Sequence, residues 1–152
     1  MESLESADII AASLLALLCV PVVYYELSSR RIPNFITYAG IAAGLLIAVI
    51  WRRDELFNYL GAFLFGFGLF YVFYLLGWIG GGDVKLMGMV GMLMGLGFLF
   101  STLIYTTLAG GVIAFGVLVY RLLRRLPLRG ATIPYGTAIV AGSYICLLER
   151  LW

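Results

Sequence analysis

The chain has 152 residues, of which 63% are apolar and 12% charged, against roughly 45–50% and about 25% in soluble domains. Ten Lys and Arg and eight Asp and Glu around a mean hydropathy of +1.05 do not cover a water-soluble fold of this size, so composition predicts one compact membrane domain over residues 1–152. The absence of histidine excludes Ser-His-Asp and Cys-His nucleophiles and His-ligated zinc, and a net charge of +2 is too small to imply nucleic acid.

The first eight residues carry Glu2, Glu5 and Asp8 and no basic residue, unlike the start of a secretory signal, so the first apolar stretch is expected to stay as a helix. Uncharged runs set the spans, because a helix needs about 20 apolar residues to cross a bilayer. Residues 9–25, 32–51, 56–82 and 131–148 each predict one crossing. The run 86–120 is longer than one crossing needs. Gly95, Gly97 and Ser101 offer a turn near 98–102 at which it folds back, which makes six transmembrane helices in an all-α protein.

Basic residues in the short loops choose the sides. With the N-terminus outside, Arg30, Arg31, Lys85, Arg121, Arg124, Arg125 and Arg129 fall on the inner face, and Arg52, Arg53 and Arg150 on the outer. The small-residue pairs Gly40/Gly44 and Gly91/Gly95 read as places where helix backbones approach. Cys19 and Cys146 are expected at depths about 10 Å apart, too far for a disulfide.

The acids are few enough to take singly. Glu2, Glu5 and Asp8 read as a solvated terminus in which Asp8 or Ser6 caps the first helix. Asp54 or Glu55 caps the third, and Glu149 beside Arg150 reads as a solvated tail. Glu26, four residues before Arg30, predicts an ion pair at a helix end; Asp83, after Gly80-Gly81-Gly82, predicts an N-cap. Two crossings separate Glu26 from Asp83, so both emerge on one face. The fold-back returns Pro134-Tyr135-Gly136 to the same face, where Pro33-Asn34 also lies. That rim is the candidate site. Its glycine run lacks the GxxxxGK[ST] pattern of a phosphate loop and instead leaves a side-chain-free approach for an extended peptide. Lys85 reads as an anchor to lipid phosphate with the reach to tune the acid.

In these residues the chain closely resembles the GxGD-type aspartyl proteases of the membrane, specifically the short form of the type IV prepilin peptidase family that serves Tad/Flp-type pili. The matching text is Glu26-Leu27-Ser28-Ser29-Arg30-Arg31-Ile32-Pro33-Asn34, then Gly80-Gly81-Gly82-Asp83-Val84-Lys85-Leu86, then Ile133-Pro134-Tyr135-Gly136. The resemblance implies a six-helix endopeptidase of the prokaryotic inner membrane that cuts the leader from pilin precursors on the cytoplasmic side, with no metal or organic cofactor. It implies Glu26 and Asp83 as the catalytic pair, and Pro33, Asn34, Gly80, Gly81, Gly82, Lys85, Pro134, Tyr135 and Gly136 around the substrate. Its expected partners are the pilin precursor, whose hydrophobic helix lies beside the peptidase in the lipid bilayer, and other pilus-assembly proteins.

The family's first acid is an aspartate, and position 26 is a glutamate. One methylene moves the carboxyl by about 1.5 Å, and a misplacement near 1 Å costs on the order of 10²-fold in rate, so the residue type predicts weak or absent cleavage with substrate binding retained. The longer relatives also methylate the new N-terminus through an added cytoplasmic region; the largest inner loop here is about 121–130, and methylation is not expected. Two alternatives stand beside this reading. One is a non-catalytic pilin-binding relative. The other is a small channel or transporter component with Gly80–Asp83 as a re-entrant loop, which predicts an ionisable group deep in the membrane.

Overall fold

A computed structural model describes residues 2–125 and 134–151, and every regular element among them is helical. Arg129, the expected last-span start at residue 131, Ile133, and the side chains of Glu2 and Glu5 lie outside the described residues. The order is α1 (Glu2–Ser29), α2 (Asn34–Trp51), a 3-10 turn (Arg53–Glu55), α3 (Leu56–Leu75), α4 (Gly81–Leu123) and α5 (Tyr135–Leu151). The stretches Ser6–Ser29, Asn34–Trp51, Arg53–Leu75 and Gly81–Leu123 are long and apolar enough to cross a membrane. Leu17, Leu64, Leu108 and Val112 are exposed, as lipid-facing side chains of such a bundle must be. The chain is an all-α membrane protein, as its composition predicts.

The long run does reverse, at Gly95 rather than at 98–102, which is helical. Gly95 has φ 81° and ψ 178°, a region open to glycine and costly for any residue with a Cβ. The reversal follows from packing: a Cβ on Gly66 would lie 3.1 Å from the Met87 carbonyl oxygen and 3.2 Å from Leu99 Cδ1. In a straight helix, residues 87 and 99 stand about 18 Å apart. A bend frees carbonyls on one side and N–H groups on the other, and both are met. Arg52 Nη1 donates to the Leu93 carbonyl at 3.0 Å, and the Leu96 N–H donates to Asn58 Oδ1 at 3.1 Å. Gly95→Ala is therefore expected to cost about 1–3 kcal/mol, read as a lower unfolding midpoint in detergent. Gly97→Ala, where nothing lies within 4 Å of the added carbon, should change it little.

The first limb, residues 81–94, is the central helix. Val84 and all residues from Leu86 to Gly95 are buried. Glycines let the neighbours close on it: Gly40 and Gly44 of α2 receive Met89 and Met92, and Gly91 lies against the Ala62 backbone of α3, in keeping with the packing role expected of the small-residue pairs. Cys19 and Cys146 are both buried free thiols.

Several acids differ from their sequence reading. Asp8 neither caps α1, which begins at Glu2, nor stands as an isolated solvated acid; it pairs with Arg52 and Arg150. Glu149 accepts from the Tyr105 hydroxyl. Glu55 occupies the position before α3 but makes no side-chain cap. Helix ends that meet other helices offer stronger partners than water or their own first turn, and local spacing does not reveal them.

Candidate functional site

Five helix ends build the site, and each is shaped by its local sequence. The last turn of α1 is closed by Arg30 at φ 52°, whose N–H donates to the Glu26 carbonyl at 2.9 Å. Glu26 thus sits in the final turn. Pro33 stands just before α2 in extended backbone, φ −64° and ψ 131°, the geometry its ring imposes. At the end of α3, Gly77 at φ 76° allows the Trp78 N–H to reach the Phe73 carbonyl at 3.1 Å and the Gly77 N–H to reach Tyr74 at 2.9 Å. This paired closure brings the Trp78 ring back onto Phe73, stacked at 5.8 Å. Residues 76–80 are consequently a loop, although the span expected over 56–82 runs through them. Gly80 then opens α4, and the Asp83 carboxylate accepts the Gly80 N–H at 3.0 Å. Gly80 rather than Asp83 is therefore the N-cap; Asp83 is the third residue of α4 and reaches back to the cap through Oδ2, leaving Oδ1 to point elsewhere.

Glu26 and Asp83 are each 7% exposed. The Glu26 carboxylate accepts from the Gly136 N–H at 2.8 Å through Oε1 and from the Thr137 hydroxyl at 2.7 Å through Oε2. It therefore lies at the positive end of α5, where an anion is favoured. A Cβ on Gly136 would stand 2.8 Å from Glu26 Oε2 and 3.1 Å from Asp83 Oδ1. The two carboxyls thus converge on one point, and their nearest oxygens are no further apart than those two distances combined. Ile32 packs beneath, against both Gly82 and Gly136.

These groups line a cleft of about 920 Å³ walled by Glu26, Arg30, Pro33, Asn34, Trp78, Gly80 to Asp83, Pro134 and Tyr135. A smaller cavity of about 550 Å³ at the other end of the bundle holds the Asp8, Arg52 and Arg150 cluster. There Asp8 is paired with both arginines, whereas the larger cleft has two acids converging beside Gly136, which makes the larger one the candidate site.

The cleft brings together most of the residues expected from sequence. Tyr135 both lines it and lies against Gly110 of the second α4 limb. Lys85 is not itself on the cleft wall; its ammonium donates to Asn34 Oδ1 at 2.9 Å and lies 5.0 Å over the Tyr38 ring, tying α4 to α2. Thr137, Ile32 and Trp78 were not anticipated as parts of the site. Thr137 directly follows Pro134-Tyr135-Gly136, and that adjacency was the available signal. Among the described residues, no group of three or more acids and cysteines is arranged to hold a metal ion.

Against known proteins, the family model described as the type IV leader peptidase family matches residues 11–115, a stretch that includes both acids. The chain is 30% identical over 141 residues to the prepilin leader peptidase/N-methyltransferase of Bacillus subtilis (strain 168). That match takes in 92% of this chain and 54% of the relative, so the chain spans about half of the relative's length. No solved structure matches it.

Proposed function

The chain belongs to the type IV leader peptidase family, and from that premise we propose that it is an aspartyl-type endopeptidase that cleaves the leader from pilin precursors. The carrying observation is the convergence of the Glu26 and Asp83 carboxyls on one point beside Gly136. The proposal covers cleavage alone.

Two carboxyls facing one point suit peptide hydrolysis with one proton held between them. The ionised carboxyl takes a proton from water as its oxygen bonds to the scissile carbonyl carbon, and the protonated partner donates to the carbonyl oxygen. The carbon–nitrogen bond then breaks as the amine nitrogen gains a proton and the carbon regains its double bond to oxygen. One water has been added, and the pair returns to its starting protonation. No covalent enzyme intermediate and no cofactor enters. The glycines at 80–82 leave backbone groups within reach of an extended leader junction, and the Trp78 ring offers an apolar wall beside it.

The substrate's hydrophobic helix lies in the bilayer with its junction at the site end of the bundle. Six of the nine basic residues among those described belong to that end, which supports its being the cytoplasmic face of the inner membrane with the N-terminus outside. The test is incubation of the purified chain in detergent with a pilin precursor, scored for the loss of a leader-length mass. Cleavage that depends on Asp83 supports the peptidase. Stable co-purification with uncut precursor supports a binding protein, and ion flux in vesicles without cleavage supports a channel.

Gly136→Ala gives a sharper result. The added carbon would meet Ile32 Cδ1 at 2.7 Å as well as both carboxyls, so it wedges into the space where substrate and water must enter. Cleavage is expected to fall by about 10²-fold, read in the same mass assay.

A further inference from the structure

We propose that Thr137 is a positioning residue that makes a glutamate serviceable at position 26. It clamps the longer side chain so that its carboxyl meets the point shared with Asp83. The inference rests on the proteolytic reading above. It differs from the expectation drawn from residue type, under which the extra methylene impairs the chain.

Glutamate has one more rotatable bond than aspartate, and an unrestrained carboxyl at its end samples positions that miss the reacting atoms. Here both of its oxygens are taken, each by a different donor on the first turn of α5: Oε1 by the Gly136 N–H and Oε2 by the Thr137 hydroxyl. Two contacts on one rigid element fix both the place and the plane of the carboxylate. The Gly136 contact is a backbone N–H that any residue but proline provides, so Thr137 supplies the part that depends on side-chain choice. An aspartate would draw the carboxyl back toward α1 by about 1.5 Å, beyond good hydrogen-bond distance of the Thr137 hydroxyl.

The clamp acts on one member of the pair. Asp83 is held separately by the Gly80 N–H, and the other charged groups around the cleft, Arg30 and Arg31, stand on its wall. Thr137 therefore acts on the reaction through Glu26, and its removal changes turnover more than substrate binding.

Steady-state cleavage of a pilin precursor by the full chain in detergent, with unfolding midpoints measured alongside, tests this. Thr137→Val keeps the shape and removes the donor. It is expected to lower kcat by about ten- to hundred-fold while KM stays within about twofold. Thr137→Ser, which keeps the hydroxyl, is expected to recover kcat to within about threefold of the native chain. In a Glu26→Asp background, itself slower than native, Thr137→Val should change kcat by less than about threefold, because the shorter acid no longer engages the hydroxyl. Equal losses from Thr137→Val in both backgrounds, no recovery with serine, or a Glu26→Asp chain faster than native would overturn the clamp. If cleavage remains Asp83-dependent in those cases, the peptidase reading stands without it. A native chain that binds precursor and never cuts it overturns both.

Discussion

Asp83→Asn is expected to lower leader cleavage by about 10²–10⁴-fold, the range for removing a general acid or base, while leaving the chain folded. The two effects separate because Asp83 has two duties carried by different atoms. Its Oδ2 accepts the Gly80 N–H and closes the first turn of α4, a contact that the amide oxygen of asparagine reproduces. Its Oδ1 faces the point shared with Glu26, and there asparagine neither takes a proton from water nor returns one. The unfolding midpoint should therefore stay close to native while the mass shift of the precursor disappears. Precursor should still co-purify with the variant, since the cleft walls are untouched. Undiminished cleavage in Asp83→Asn would remove the paired-acid mechanism.

Arg52→Leu is expected to be the most destabilising single change at the other end of the bundle, by about 3 kcal/mol, the low end of the range for breaking a buried ion pair. Arg52 is 2% exposed, and one guanidinium makes three contacts. It pairs with Asp8, donates to the Leu93 carbonyl where α4 turns back, and lies 4.6 Å over the Tyr59 ring. Leucine fills the volume but leaves the Leu93 carbonyl without its donor, at a helix C-terminus where a cation is favoured. Asp8 keeps Arg150, which is why the low end of the range applies. Arg52→Lys should recover only part of the loss, because a single ammonium does not match a planar fork. The unfolding midpoint in detergent measures both, and an Arg52→Leu midpoint equal to native would show that the cluster contributes nothing to holding the turn.

Much of the architecture was legible because it depends on one quantity, the length of uncharged chain. Runs near 20 residues give crossings whatever their neighbours are, and the parity of crossings brings Glu26, Asp83 and Pro134-Tyr135-Gly136 to one end before any contact is known. Ambiguity entered where several residues offered the same local signal. Gly95, Gly97 and Ser101 all permit a turn; Gly95 takes it because Arg52 and Asn58 stand ready to satisfy the backbone groups a break at that point exposes. Those partners lie about 40 residues away in sequence, beyond any local pattern. The end of α3 shows the same limit, since the glycine at 77 was one of many until its positive φ closed the helix.

Sequence alone determined that this chain lives in a membrane, that it has no histidine chemistry, and that two acids share one rim, because composition and crossing parity are properties of the chain itself. Only the tertiary structure decided what those acids touch. Glu26 could meet Arg30 in its own helix or a donor on another, and the choice fell to the first turn of α5, whose exposed N–H and neighbouring hydroxyl attract a carboxylate once packing brings them within reach. Likewise Asp8 became an ion-pair partner and Lys85 a tie to Asn34, because a charge in a tightly packed bundle takes the partner that the fold carries to it.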